Sequence, residues 1–320
     1  MTSLTRRRFG ALGAGLGVAA GLGFPARAQG APKELRIGYQ KAGLPVVARQ
    51  QGLIERALAD RAIPVRWVEF TAGPPLLEAM NVGAVHLGWT GDAPPIFAQA
   101  AGSAITYVAA LPSNGAGEAV IVKAGSPVAG LAGLKGRKVG FTKGSSAHNL
   151  TVAALERAGL AYADITPVHL SPADAAAAFA RDAIDAWTIW DPFLAVAQSR
   201  HDVRLLVTSR EALNVRTFFL ANRGFAAQNP RIVQDTIRSL AAAAVWADAH
   251  RGEVAQALAE VTGVEFAAQK VAADRTDFGI GPVTDEIVAG QQVTADRFHK
   301  LGLIPRAVAV RDAVWVPPQT

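Results

Sequence analysis

Cysteine is absent from this sequence of 320 residues. Its absence excludes disulfides, thiolate metal sites, a cysteine nucleophile and a lipid-modified cysteine behind an export signal. The fold must therefore rest on its hydrophobic core. A chain of this length can bury such a core in one large domain or in two ordinary ones.

Histidine is scarce and follows no catalytic or metal-binding pattern. The histidines have neither HxH nor HExxH spacing; they are His86, His148, His169, His201, His250 and His299. His148 has no carboxylate partner at local spacing, and the Gly-x-Ser-x-Gly motif of serine hydrolases is missing. We therefore expect no enzyme, no bound metal and no cofactor.

Basic clusters are missing after the first 28 residues. The whole chain has a formal charge of +6, from 32 Lys and Arg against 26 Asp and Glu. Residues 1–28 hold four arginines and no acidic residue, which leaves +2 for the rest (28 basic against 26 acidic). Such a surface attracts anions weakly, and without a basic block we expect no nucleic-acid partner.

The N-terminus carries an export pattern. Paired arginines at Arg6 and Arg7 precede a modest apolar stretch, residues 9–25, and an Ala-Arg-Ala site that ends at Ala28. This pattern predicts a twin-arginine signal over residues 1–28, cleavage after Ala28 and a periplasmic mature chain that begins at Gln29. The alternative is a membrane anchor, but the apolar stretch is short and glycine-rich for a stable span.

Segments with strand and helix character alternate along the mature chain. The first series runs from a strand at residues 35–39 to a strand at residues 105–110, and the pattern restarts near residue 119. This alternation predicts an α/β fold with mostly parallel sheets. Residues 46–60 are predicted as one helix, and alanine-rich helices are predicted from Pro230 to the end of the chain.

The restart indicates two lobes that the chain connects by crossing twice, near residues 112 and 217. We expect residues 29–112 to form the first part of lobe 1 and residues 113–217 to form lobe 2. Residues 218–320 should return to lobe 1 and add the C-terminal helices.

Three strand-to-helix turns carry the candidate chemistry. They are centred on Thr90-Gly91-Asp92, on Gly144-Ser145-Ser146 and on Trp190-Asp191-Pro192. Each turn places backbone N–H groups at the positive end of a helix dipole, which is a common anion site. Ligands of open α/β sheets bind beyond the carboxyl ends of the strands, so two facing lobes with such turns are suited to a small anion. The alternative for any single turn is ordinary helix capping without a ligand.

These turns belong to a longer series of motifs, which covers nearly all of the mature chain. Its most specific blocks are Thr-Gly-Asp-x-Pro-Pro, Ser-Ser-x-His-Asn and Trp-Asp-Pro, and it also includes residues 37–41, 67–70, 73–74, 78–83 and 282–284. The series resembles the aliphatic sulfonate-binding proteins of bacterial ABC importers. The resemblance implies a two-lobed type II periplasmic binding protein that captures aliphatic sulfonates for sulfur acquisition. It also implies an inner-membrane permease with its ATPase as the partner, and we expect a monomer.

Carried over onto this sequence, the resemblance implies a set of ligand-binding residues: Gln40, Thr90, Gly91, Asp92, Ser145, Ser146, His148, Asn149, Trp190, Asp191 and Thr217. Backbone N–H groups near Gly91 and Ser145 are expected to meet the sulfonate oxygens. The side-chain amides of Gln40 and Asn149 can donate as well, and Trp190 offers a wall for the alkyl chain. Asp92 and Asp191 are interpreted as caps, because a bare carboxylate repels a sulfonate.

One departure from the family pattern leaves the exact anion open. The turn at residues 214–217 is a residue shorter than is usual and contains Arg216. We expect Arg216 to be solvated and Arg275 to form a surface ion pair, since exposed arginines are the commoner case. The alternative for Arg216 is a charge-assisted contact with the ligand. The alternatives are a binding protein for taurine, nitrate or an organic sulfate, a sensor subunit, or an enzyme of the same fold.

Overall fold

The computed structural model describes residues 32–214 and 216–318, and the predicted export signal lies outside these ranges. The described residues belong to one compact unit of the chain. Within it, two five-stranded sheets with their helices form two lobes. None of the helices in these ranges is long and apolar enough to cross a membrane.

The first sheet belongs to the lobe that we call lobe 1. Its strand order is β2-β1-β3-β10-β4, and its strands are β1 (Leu35–Tyr39), β2 (Val65–Glu69), β3 (Leu87–Thr90), β4 (Ile105–Leu111) and β10 (Thr217–Asn222). β1 pairs in parallel with β2 and β3, whereas β10 runs antiparallel to β3 and β4. Four strands therefore run in one direction and β10 in the other.

The second sheet, that of lobe 2, repeats this plan. Its strand order is β7-β6-β8-β5-β9, and its strands are β5 (Glu118–Lys123), β6 (Lys138–Phe141), β7 (Thr166–His169), β8 (Ala186–Trp190) and β9 (Val203–Thr208). Only β5 runs against the other four. β5 and β10 are the first strands after each crossing of the chain, so both begin at the edge where the parallel strands end.

Thirteen α-helices flank the two sheets within the described ranges. They are α1 (Leu44–Gln50), α2 (Leu53–Leu58), α3 (Gly73–Asn81), α4 (Ala93–Ala100), α5 (Ser146–Arg157), α6 (Pro172–Ala180), α7 (Phe193–Arg200), α8 (Ser209–Ala212), α9 (Arg223–Gln228), α10 (Pro230–Ala249), α11 (Arg251–Thr262), α12 (Phe266–Arg275) and α13 (Asp285–Lys300). Short 3₁₀ turns lie at Ala59–Arg61, Leu131–Leu134, Tyr162–Asp164 and Val310–Ala313.

Each sheet is covered by apolar side chains on both faces. Along β10, Phe218 and Leu220 pack into one hydrophobic cluster, while Phe219 and Ala221 pack into another. β5 of lobe 2 divides its residues between two clusters in the same way. Successive side chains of a strand point to opposite faces, so a continuous apolar run is what a sheet between two helical layers needs.

The α/β prediction with mostly parallel strands is confirmed, but two local predictions were wrong and one strand was missed. Residues 46–60 form two helices and a 3₁₀ turn, because Gly52 takes a left-handed conformation (φ 61°) between α1 and α2. β9 was not predicted, although Val203–Thr208 pairs with β5 along its length. The C-terminal helices end at Lys300, and a non-helical segment with one 3₁₀ turn follows.

Candidate functional site

A cavity of about 170 Å³ lies between the two lobes. Its wall contains eight of the eleven predicted residues: Gln40, Gly91, Asp92, Ser145, Ser146, Trp190, Asp191 and Thr217. Gln40, Gly91 and Asp191 directly follow β1, β3 and β8, and Thr217 begins β10. The site therefore lies at the carboxyl ends of the parallel strands, where ligands of α/β sheets bind.

The turn before α5 offers backbone donors to this cavity. Ser145 is the N-cap residue, but its Oγ donates to the Thr142 carbonyl (2.7 Å) instead of capping the helix. The Ser145 carbonyl accepts from the N–H groups of His148 and Asn149. In the described part of the chain, no acceptor pairs with the N–H groups of Ser146 and Ala147. Together with the dipole of a 12-residue helix, these donors favour an anion at this point.

The turn before α4 lets two helices approach closely at the cavity, but it offers few backbone donors. Asp92 Oδ1 accepts from the Ala93 N–H (2.8 Å), which confirms Asp92 as a cap. The next two residues, Pro94 and Pro95, have no N–H groups to offer. A Cβ atom on Gly91 would lie 2.8 Å from the Ser146 Cβ. The glycine thus allows the first turns of α4 and α5 to approach closely across the cleft.

The turn before α7 holds a partly buried ion pair. Asp191 Oδ1 accepts from the Ala195 N–H (3.0 Å), so Asp191 caps α7 as expected. Arg275 of α12 approaches the same oxygen at 3.3 Å and donates to the Gln198 side chain at 2.7 Å. Burial raises the pKa of Asp191 to about 6, although the Arg275 charge opposes this shift. Trp190, next to Asp191, is half-buried in the wall.

Three predicted residues lie behind the wall instead of in it: Thr90, His148 and Asn149, each with no exposed surface. Asn149 Nδ2 donates to Asp92 Oδ2 (2.5 Å), and its Oδ1 accepts from Arg297 Nη1 (3.0 Å). The amide that was predicted to reach the ligand is therefore occupied in joining the two lobes. The Thr90 hydroxyl donates to the Gly91 carbonyl (3.0 Å).

The contacts of His148 indicate a structural role. Its Nδ1 accepts from the Gly144 N–H (3.2 Å), and its ring stacks on Phe141 with centroids 4.9 Å apart. Burial lowers its pKa to about 3, and the nearby His169 adds to this effect. A neutral, buried imidazole that accepts a backbone hydrogen bond positions the turn instead of contacting an anion.

Two arginines of the wall were not among the predicted site residues. Arg275 forms the ion pair that was expected of it, but its side chain is only 25 % exposed and lines the cavity. Arg216 is half-buried and also lines the cavity, where a solvated position was expected. Arg275 comes to the cleft from a segment distant in sequence from the turns, so no local pattern could reveal it, whereas Arg216 directly precedes the predicted residue Thr217.

Glu118, the first residue of β5, was also missed. Only 8 % of it is exposed, and it lines the cavity beside the crossing of the chain. Burial raises the pKa of Glu118 to about 7 and that of Asp92 to about 6. The wall thus combines the carboxyl groups of Glu118, Asp92 and Asp191 with two arginines. Among the described residues, no group of His, Asp and Glu side chains is placed to hold a metal ion.

Comparison with known proteins gives the family. The NMT1/THI5-like family matches residues 59–254. An aliphatic sulfonates-binding protein of Escherichia coli (strain K12) is 41% identical over 298 residues, which are 92% of this chain and 93% of that protein.

Two solved structures agree with this assignment. The periplasmic aliphatic sulphonate-binding protein SsuA from Escherichia coli has a TM-score of 0.82 and 40% identity, over 91% of this chain and 94% of that one. The alkanesulfonate-binding protein SsuA from Xanthomonas axonopodis pv. citri, bound to MOPS, has a TM-score of 0.84 and 40% identity, over 89% and 98%. The chain has their type II periplasmic binding protein fold, and it belongs to the NMT1/THI5-like family, within the aliphatic sulfonate-binding proteins.

Proposed function

We propose that this protein captures aliphatic sulfonates in the periplasm and delivers them to the permease and ATPase of an ABC importer. The single observation that carries the proposal is the start of α5. There, the Ser146 N–H has no acceptor in the described chain and lies at the wall of the cavity between the lobes. A sulfonate brings three acceptor oxygens and a full negative charge, which match a helix N-terminus.

The rest of the wall supports a ligand with an apolar tail. Arg216 and Arg275 supply positive charge, and Trp190 supplies an apolar surface. Nitrate and sulfate have no carbon chain to place against an indole ring, so an alkanesulfonate uses more of this wall than they do. Taurine is the second candidate, because the carboxyl groups of Asp92 and Glu118 are suited to a ligand that also carries an amine.

Export belongs to the same proposal. We propose that residues 1–28 are removed after Ala28, because the twin-arginine pattern and the Ala-Arg-Ala site precede a chain of a periplasmic family. Mass spectrometry of the chain recovered from the periplasm should give an N-terminus at Gln29.

Calorimetry of the chain that begins at Gln29 tests the ligand. Methanesulfonate, longer alkanesulfonates, taurine, sulfate and nitrate should be titrated in buffers that are not themselves sulfonates. We expect alkanesulfonates to bind with micromolar or tighter affinity, about −8 kcal/mol. Binding of nitrate without binding of any sulfonate would contradict the proposal.

A pair of variants tests the backbone donor. Ser146→Pro removes the N–H at the first position of α5, where proline suits a helix, and Ser145 before it is already extended (φ −89°, ψ 174°). Ser146→Ala is the matched control, because it removes the hydroxyl but keeps the N–H. We expect the proline variant to bind at least tenfold more weakly than the alanine variant, the effect of losing one charge-assisted hydrogen bond of about 1.5–3 kcal/mol.

A further inference from the structure

The Glu118 carboxyl group is not explained by anion binding alone. Its Oε2 accepts from the Ser209 hydroxyl (2.6 Å), whereas its buried Oε1 has no hydrogen-bond partner. An unpaired carboxylate oxygen is costly to bury, and a negative charge beside an anion site also weakens binding of the anion. The group needs either a proton or a donor.

Ser146 is close both to this carboxyl group and to Gly91 of lobe 1. The Ser146 side chain interacts with Glu118 and favours its ionised form. On its other side, Ser146 meets Gly91 of lobe 1, since a Cβ atom placed there would be 3.0 Å from the Ser146 Oγ. The hydroxyl of Ser146 can donate its single proton in only one direction, toward Glu118 or toward the cavity.

We propose that Glu118 is a positioning residue: a proton on its Oε1 makes the Ser146 hydroxyl donate toward the bound anion, so that ligand binding takes up one proton from solvent. This inference rests on the proposed anion-binding function. With Glu118 ionised, Ser146 donates to Oε1 and turns its oxygen lone pairs toward the ligand. With Glu118 protonated, Oε1–H donates to the Ser146 Oγ, and the serine proton is free for a sulfonate oxygen.

Other charged groups surround the same cavity, and their contacts distinguish them from Glu118. They are Asp92, Asp191, Asp277, Arg216 and Arg275. Both oxygens of Asp92 have partners, in Ala93 and Asn149, and Asp191 is paired with Arg275. Asp92 acts on Glu118 at a distance, because its negative charge favours the protonated form of Glu118. The negative charge of a bound anion also favours the protonated form of Glu118.

The sign of the pH dependence follows from burial. Burial raises the pKa of Glu118 to about 7. A sulfonate keeps its charge throughout the neutral range, so the titrating group belongs to the protein. Affinity should be highest below pH 7 and fall by up to tenfold for each pH unit above it, until the pKa of the ligand-bound form is passed.

Calorimetry of the wild-type protein with one alkanesulfonate at pH 6 and pH 8.5 gives the first readout. We expect an affinity ratio of at least ten between the two pH values. We also expect the binding heat at pH 7.5 to differ between Tris and phosphate buffers, because the buffer supplies the proton that the protein takes up and the two buffers have different ionisation heats. A control titration first shows that phosphate does not displace the ligand. Binding that involves no proton uptake would overturn the inference while leaving the proposed function in place. Absence of any binding would overturn both.

Three variants test whether Glu118 is the group that takes up the proton. Glu118→Gln, which keeps a fixed donor for Ser146, should bring the affinity ratio between pH 6 and pH 8.5 close to one. Ser146→Ala should do the same and serves if the glutamine variant does not fold. Exposed Glu78 lies on α3, outside the cavity wall, so Glu78→Gln should keep the wild-type ratio. A wild-type ratio in Glu118→Gln would assign the proton to another carboxyl group and overturn the inference.

Discussion

At the scale of single residues, two tryptophans of β8 have different surroundings. Trp187 is 2 % exposed and packs at an angle to Phe179, in the hydrophobic core of lobe 2. Trp190, three residues later, is half-buried and lines the cavity. The same side chain therefore has a packing role at one position and is available to a ligand at the other.

Substitution of Trp190 should change the preference for chain length. Trp190→Ala removes an apolar contact, so binding of a long alkanesulfonate should weaken by about 1–3 kcal/mol, and that of methanesulfonate by less. Calorimetry with both ligands measures the difference.

Trp187→Ala is the control for this experiment. It should lower the free energy of unfolding by about 3–5 kcal/mol and leave the preference unchanged. Equal losses for short and long ligands in Trp190→Ala, with a large drop in melting temperature, would contradict the role of Trp190.

At the scale of elements, the geometry of α5 explains why the predicted contacts were only partly right. The cavity meets the N-cap residue Ser145 and the first helical residue, Ser146. At about 100° per residue, His148 is turned away from the side of the helix on which Ser146 lies. Asn149 stays near the Ser146 side but one turn further along the helix, where its amide donates to Asp92. The motif predicted the element correctly, but the helical turn separates its members into wall residues and supporting residues.

The contact between the starts of α4 and α5 gives a second prediction. In Gly91→Ala, the new Cβ would lie 2.8 Å from the Ser146 Cβ, so the two turns must move apart. We expect ligand affinity to fall at least tenfold, about 1.4 kcal/mol, with a smaller effect on melting temperature. Gly252→Ala on α11, whose Cβ would meet nothing within 4 Å, is the control. Unchanged affinity in Gly91→Ala would show that ligand binding does not need the close approach of α4 and α5 at Gly91.

At the scale of the whole molecule, polar contacts join the lobes on both sides of the cavity. Arg297 of α13 donates to Asn149 and forms an ion pair with Glu156 of α5 (3.0 Å). On the other side, α12 meets α7 through Arg275 and Asp191. The chain crosses between the lobes before β5 and before β10, so these two crossings are placed to act as a hinge, while the polar contacts hold the lobes together.

Small-angle scattering tests this arrangement. We expect the radius of gyration of the wild-type protein to decrease when an alkanesulfonate is added, with a hinge near residues 112 and 217. Arg297→Met should enlarge the radius without ligand and weaken binding, because it removes both contacts with α5.

Arg311→Met is the matched control, since it breaks an exposed ion pair with Asp285 away from the cleft. It should leave the radius and the affinity unchanged. A wild-type radius that ligand does not alter would argue for a rigid site.

The sequence by itself determined the α/β class, the three turns and the family, because periodicity, caps and motif order are local properties of the chain. Gly91, Ser145 and Asp191 could be placed at strand ends for this reason. Only the tertiary structure decided which side chains meet across the cleft. Glu118 and Arg275 join the wall from distant segments, while the Asn149 amide donates to Asp92 of the other lobe. Burial and pairing across more than fifty residues also set the pKa of each carboxyl group, and no local pattern encodes such distances.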